Sequence, residues 1–246
     1  GALAGVKYYL LPDIKHFSAT TVLAAMGQLF YSMSLAMGIM ITYGSYMKKE
    51  DDLRDSVRKI EIFDTVVALL AGLMIVPSVF AFSGGSKEAL SKGPSLMFVT
   101  MPKVFNSMKI GSLIGAGFFI LVLFAALTSA ISLLETNVSI ICDKLHWSRK
   151  KSTVVATLYC LIVGYGPLSF IKIIGMDLLD FFDFISNSVL MPIVAMLTCI
   201  FIGYIVKPKT IIDEVELDGK AFKEKKFYVV MLKYVAPVCL LLILLF

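Results

Sequence analysis

Six apolar runs, at about residues 19–47, 61–83, 111–142, 152–171, 182–206 and 227–246, limit what this chain can fold into more than any other feature. A helix rises about 1.5 Å per residue, so roughly 20 residues cross a hydrocarbon core of about 30 Å. A closed barrel would need short alternating strands, whereas these runs are long and rich in Leu, Ile, Ala and Met. The chain is 58% hydrophobic and 17% charged, with a mean hydropathy of +0.86, which lies outside the range of soluble domains. The expected class is therefore an all-α polytopic membrane protein with six transmembrane helices.

Charge distribution sets the expected orientation. Residues 48–59 carry five Lys or Arg, 143–151 carry four and 207–226 carry six, and these loops share one face if six helices alternate. The opposite face holds seven: Lys7, Lys15, Lys87, Lys92, Lys103, Lys109 and Lys172. The positive-inside bias places the first set in the cytoplasm and the start of the chain outside, in a cell membrane. A net charge of +5 then reflects topology and anionic lipid rather than nucleic-acid binding. Residues 1–18 read as an extracellular loop entered from a preceding helix, with neither an initiator Met nor a signal peptide, so an amino-terminal part is expected to be missing. Cys142, Cys160, Cys199 and Cys239 form no CxxC pair, and no disulfide or metal centre is expected of them.

Between the runs, residues 85–110 form a long connection split at Gly93-Pro94, whose Leu96, Met97, Phe98, Val104 and Phe105 suit a packed outer cap. Loop 207–226, with Pro208 and the Asp218-Gly219 turn signal, reads as a solvated linker. Within the spans, polar groups interrupt two segments. GQLFYSMSLAMG sets Gln28, Ser32 and Ser34 among bulky apolar residues, and FAALTSAISLLE stacks Ala125, Thr128, Ser129 and Ser132 on successive turns. Hydroxyls in a membrane helix either bond back to the preceding turn or serve a ligand, and the residues alone leave both open.

Read together, GQLFYSMSLAMGIMITYGSY (27–46), IFDTVVALLAGLMIVP (62–77), FAALTSAISLLE (124–135) and DKLHWSRK (143–150) resemble the second half of the neurotransmitter:sodium symporters, the LeuT-type amino acid transporters. GALAGVKYYLLPD is similar to the loop before that family's sixth helix, so the resemblance covers helices six to eleven. It implies a partial LeuT fold: the second inverted repeat over 19–206 with a broken first helix, a cytoplasmic loop 207–226, and one further helix over 227–246. Such folds place substrate and ions at the midplane where helices break. Sodium is a hard cation and favours carbonyl, hydroxyl and carboxylate oxygen.

By this resemblance Tyr31 is the aromatic lid and Ser32 a sodium ligand beside the substrate carboxylate. Carbonyls around Ser34 receive the substrate ammonium, and Met37 and Leu133 line the side-chain subsite. Ala125, Thr128 and Ser129 match the second sodium site, with Ser129 also bordering substrate. Gln28 matches the residue above the lid, and Asp143 an inner-gate acid whose arginine partner lies upstream. Asp177, Asp180 and Asp183 share one face of the segment DLLDFFDFISNSVLMP (177–192), which leads into the fifth run; Asp183 is the choice for the outer-gate acid, Asp180 the fallback, and capping accounts for the others. Two departures stand out. Ala36 replaces a common glycine in the broken helix, and Asp64 replaces an asparagine that binds sodium, with Ala68 where chloride-dependent relatives carry serine. Asp64 is therefore expected to coordinate sodium and to supply the charge that chloride gives elsewhere.

The implied activity is sodium-coupled symport of a neutral, hydrophobic or aromatic amino acid by alternating access, with two sodium sites completed by a first helix in the missing amino-terminal half. It is not an enzyme activity. A proton-coupled transporter of the same fold, with Asp64 carrying the proton, is the alternative. A membrane redox or enzyme subunit is the third reading, and His16 and His146, both in loops, offer it no paired haem ligands within the membrane.

Overall fold

A computed structural model describes residues 1–84, 95–164, 171–217 and 219–245, with only the backbone of His16. Gly93-Pro94 and Asp218 lie outside the described residues. The described residues are mainly helical, with one short hairpin among them, β1 (Lys172–Ile173) paired antiparallel with β2 (Met176–Asp177). Among the described residues, four helices are long and apolar enough to cross a membrane: α4 (Leu53–Phe82), α6 (Gly111–Leu145), the composite run Leu178–Val206 and the composite run Lys225–Leu245. The run expected at 19–47 is instead two helices, α2 (Ala19–Ser32) and α3 (Ile39–Gly44). The run expected at 152–171 contains α7 (Arg149–Val163), and residues 165–170 beyond it lie outside the described set.

The chain divides into two compact units. The first comprises residues 1–17 and 59–129. Here α1 (Ala2–Leu10) occupies part of what the sequence suggests is a loop, and it is held against α4. Tyr9 donates its hydroxyl to the Ala68 carbonyl at 3.3 Å, and the Tyr8 and Phe80 rings lie 5.1 Å apart. Gly5 permits the approach, because a Cβ there would come within 2.6 Å of Pro77 Cα. A π-helical turn (Leu96–Thr100) and α5 (Met101–Asn106) pack on the same unit's core of Val79, Met101, Val104, Phe105 and Phe118. Of the residues expected to hold a cap, Phe98 is the exposed one, its ring stacked over Phe119.

The second unit comprises residues 18–58 and 130–246. The composite run Leu178–Val206 is built from α8 (Leu178–Asp183), a π-helical turn (Phe184–Leu190), α9 (Met191–Ile200) and a second π-helical turn (Phe201–Val206). After it comes α10 (Pro208–Val215), then α11 (Lys225–Val230), a π-helical turn (Met231–Val235) and α12 (Ala236–Leu245), which packs on α9 and α2. Loop 207–226 stays largely exposed but is more than a linker. It contains α10 and is tied down by ion pairs from Lys220 to Asp52, Glu224 to Arg54 (2.6 Å) and Lys225 to Glu216 (2.7 Å). Lys220 and Glu224, which read as part of a hydrated charge run, find partners 168 and 170 positions away. The first of these pairs also reinforces a helix start, since Asp52 Oδ1 accepts the Asp55 amide at 2.8 Å ahead of α4.

Candidate functional site

The helix break is built from three left-handed residues. Helix α2 ends at Ser32, where the Met33 amide still reaches the Leu29 carbonyl at 3.0 Å. Ser34 (φ 54°), Ala36 (φ 60°) and Gly38 (φ 79°) then fall at every second position, and residues of positive φ stop a helix from propagating. Among the described residues, the carbonyls of residues 33–37 accept no backbone hydrogen bond. Each bare carbonyl costs several kcal/mol at membrane depth on the order of a lost hydrogen bond, so the segment is suited to a polar occupant. These oxygens follow the C-terminal, negative end of α2, which favours a cation or an ammonium group. Carbonyl and hydroxyl oxygen is the donor set a hard alkali cation takes. Among the described residues no group of three or more His, Cys, Asp or Glu comes together as an alternative metal centre.

The far side of the break is anchored on α6. The Tyr43 hydroxyl donates to Ser132 Oγ at 2.7 Å, and the Tyr46 hydroxyl donates to Glu135 Oε1 at 2.5 Å. Glu135 also takes Arg149 Nη2 on both oxygens at 2.5 and 2.6 Å, which holds the guanidinium pKa above its usual value. The Glu135 side chain is 19% exposed, against 65% for Arg149. Sequence reasoning missed Glu135, although an acid inside an apolar run of this length calls for a cation. Its partner was counted only as a loop charge.

Other expected site residues fall as follows. In the second unit, Tyr31 and Ser32 form the exposed last turn of α2, with Gln28 one turn earlier, also exposed, and Met37 half-buried in the break. Leu133 lies on α6 between Ser132 and Glu135, 44% exposed. Asp143 is exposed near the end of α6, with no ion pair among the described residues. Asp183 closes α8, and its Oδ1 accepts from Asn187 Nδ2 within the π-helical turn that follows. Asp177 stands at the N-cap of α8 without a side-chain cap bond, and Asp180 lies in its first turn. In the first unit, Ala125, Thr128 and Ser129 lie on α6, and the Thr128 hydroxyl donates to the Ala125 carbonyl at 2.9 Å. That bond links two expected sodium ligands one turn apart. Asp64 is half-buried on α4 of the same unit, one turn before Ala68.

The sequence model of the sodium:neurotransmitter symporter family matches residues 1–246. The chain belongs to this family. Its members are transporters, not enzymes. The chain is 35% identical over 252 residues to an uncharacterized sodium-dependent transporter, YhdH, of Bacillus subtilis, covering 99% of this chain and 54% of that protein. It is 28% identical to the sodium- and chloride-dependent glycine transporter 1 of Xenopus laevis, over 100% of this chain and 40% of that one. Among solved structures, MhsT in complex with L-phenylalanine superposes with a TM-score of 0.86 at 35% identity, over 100% of this chain and 56% of MhsT. The chain thus spans about half the length of these relatives, and its LeuT-type helical fold and membrane-spanning character follow from the match.

Proposed function

We propose that this chain carries the second half of a sodium-coupled symporter for a neutral amino acid with a hydrophobic or aromatic side chain. The observation that carries the reading is the break over residues 33–38, where three left-handed residues leave consecutive carbonyls bare in an otherwise apolar helix. In this reading Ser32 and the bare carbonyls serve one sodium and the substrate ammonium, and Tyr31 closes over the substrate. Met37, Ser129 and Leu133 border its side chain. Ala125, Thr128 and Ser129 form the second sodium site, and a broken first helix in the amino-terminal half completes both. Gln28 and Asp183 belong to the outer gate and Asp143 to the inner. The complex of MhsT with L-phenylalanine supports an aromatic amino acid as the first substrate to test. The five-helix repeat over 19–206 and the last helix over 227–246 then sit in a cell membrane with loops 48–60, 143–151 and 207–226 in the cytoplasm, as the charge bias favours.

Alternating access requires that sodium and substrate stabilise one arrangement of the gates over the other. The chain contributes bare oxygens on one side of the break and a clamped α3 on the other, so occupancy of the break can be felt at the inner end through Tyr46. Uptake of radiolabelled L-phenylalanine into proteoliposomes of the full-length transporter tests the proposal. Accumulation is expected under an inward sodium gradient and is expected to stop when choline replaces sodium. Accumulation driven by a proton gradient in sodium-free buffer would instead favour the proton-coupled reading with Asp64 as carrier.

A further inference from the structure

The second unit holds an open groove of about 440 Å3 whose lining includes Gly203, Tyr204, Lys207, Lys209, Ile212, Val229 and Lys233. Its position is defined by chain order. Lys207 follows the last residue of the span Leu178–Val206, and Lys233 is the ninth residue of the span Lys225–Leu245, about 12 Å along that helix. The groove therefore runs from the membrane surface to a charge held inside an apolar span. Lys233 Nζ lies 5.2 Å from the centre of the Tyr204 ring, whose hydroxyl donates to the Lys233 carbonyl at 3.2 Å. Gly203 faces the lysine stem, and a Cβ there would make ordinary van der Waals contact, 3.4 Å from Lys233 Cγ.

Three cations thus converge on one recess. No acidic side chain lines it, and Lys207, Lys209 and Lys233 form no ion pair among the described residues. Nearby Lys220 and Lys225 do find carboxylates, on Asp52 and Glu216. A lysine inside a span is expensive without an anion or water, and the aromatic face offsets only part of that. Ile212 and Val229 give the recess an apolar side. Phosphate above and hydrocarbon below is the chemistry of one ligand class.

We propose that this groove binds the headgroup of an anionic glycerophospholipid, with its phosphate held by Lys207, Lys209 and Lys233 and its glycerol and acyl portion against Ile212 and Val229. A groove of this volume falls within the range of about 300–1,000 Å3 typical of small-ligand sites. Basic recesses between transmembrane helices are suited to such headgroups.

Native mass spectrometry of the detergent-purified full chain, titrated with phosphatidylglycerol, tests this without recourse to transport. The Lys207→Ala/Lys209→Ala/Lys233→Ala variant is expected to bind about 100-fold more weakly, and Lys233→Ala alone about fivefold. A charge-matched control, Lys49→Ala/Lys223→Ala/Lys226→Ala, should stay within about twofold of the parent if binding is local rather than diffuse. Lys207→Gln/Lys209→Gln alters only exposed side chains and keeps the test open if removing Lys233 impairs folding. Inorganic phosphate at tens of millimolar is expected not to displace the lipid, because it lacks the apolar portion. Equal loss in the control, equal binding of phosphatidylcholine, unchanged binding in the lysine variants, or full displacement by inorganic phosphate would each overturn the proposal.

Discussion

Tyr46, just past the end of α3, and Glu135, ten residues before the end of α6, are joined by a 2.5 Å hydrogen bond. The same carboxylate holds Arg149 across both oxygens. One acid therefore ties together the segment after the helix break, the long helix α6 and the start of α7. The partners are unequal. Arg149 is largely solvated and Glu135 is not, so loss of the guanidinium leaves a carboxylate in apolar surroundings, whereas loss of the tyrosine hydroxyl removes one of several bonds. Arg149→Ala is expected to destabilise by about 1–3 kcal/mol and Tyr46→Phe by about 1 kcal/mol. Glu135→Gln should lie between them. Thermal melts in detergent and a double-mutant cycle check the order, and a cycle showing no coupling between Tyr46 and Arg149 would contradict a shared acid.

Gly38 and Ala36 both occupy the left-handed region, yet only one of them is a glycine. A side chain at Gly38 meets two obstacles, a φ of 79° and the Thr136 methyl 3.0 Å from the new Cβ. Gly38→Ala is expected to cost about 1–2 kcal/mol from the backbone alone. Thr136→Ser in the same chain should recover only the steric share, which a stability comparison of the single and double variants measures. Ala36→Gly is expected to be neutral or to stabilise by up to about 1 kcal/mol, because relief at positive φ is offset by unfolded-chain entropy. Clear destabilisation by Ala36→Gly would show that the Ala36 methyl makes a contact that matters more than its φ.

Docking of α1 on α4 rests on two close approaches. Besides Gly5 against Pro77, a Cβ at Gly72 would lie 2.1 Å from the Tyr9 hydroxyl. The second obstacle is the end of a side chain and can move, whereas the first is backbone. Gly5→Val should therefore release α1, seen as faster amide exchange over residues 2–10, while Gly72→Ala should mainly displace Tyr9 and leave that exchange close to the parent. The reverse order would mean that the tyrosine bond, not the backbone contact, holds α1.

Asp64 carries a prediction of its own from the proposed ion chemistry. If its charge stands in for chloride, uptake persists when gluconate replaces chloride, and Asp64→Asn makes uptake weaker and chloride-sensitive only once a chloride ligand such as serine replaces Ala68. Uptake assays of the parent, Asp64→Asn and Asp64→Asn/Ala68→Ser with and without chloride measure this. Strict chloride dependence of the parent would sink it.

The spans and the break were legible because both are written locally. Continuous Leu, Ile and Ala force a helix in lipid, and Ser34, Ala36 and Gly38, small residues among bulky ones, mark where it cannot continue; the sequence places the break near 32–36 and the structure at 33–38. The Thr128–Ala125 bond was equally local, one turn of one helix. Glu135 with Arg149 was not legible, because fourteen positions and a helix end separate the partners. The ties of loop 207–226 were hidden for the same reason, since nothing near Lys220 or Glu224 in sequence announces Asp52 or Arg54. Residues 1–18 mislead differently: α1 is too short to stand alone, and its stability comes from a surface on α4 that the segment itself does not reveal.

The tie between loop 207–226 and the start of α4 gives a pH prediction whose sign follows from its carboxylates. The hydrogen bond from Lys220 holds Asp52 below its ordinary value of 3.8, with help from the Asp55 amide, and the bond from Lys225 holds Glu216 below 4.5, with help from the Phe222 amide. Folded-state values below the unfolded ones mean that these groups add stability above the ordinary carboxylate range and lose it as pH falls through the depressed values. The loop should therefore stay fixed across neutral and mildly acidic pH and release only below about pH 4. Spin labels at Arg58→Cys and Lys223→Cys, in a chain with the four native cysteines replaced by alanine, should report one narrow distance at pH 5–8 and a broad one in acid. Lys220→Ala/Lys225→Ala should broaden it already at neutral pH. Loosening between pH 6 and 7 in the parent would point to a histidine rather than to these acids.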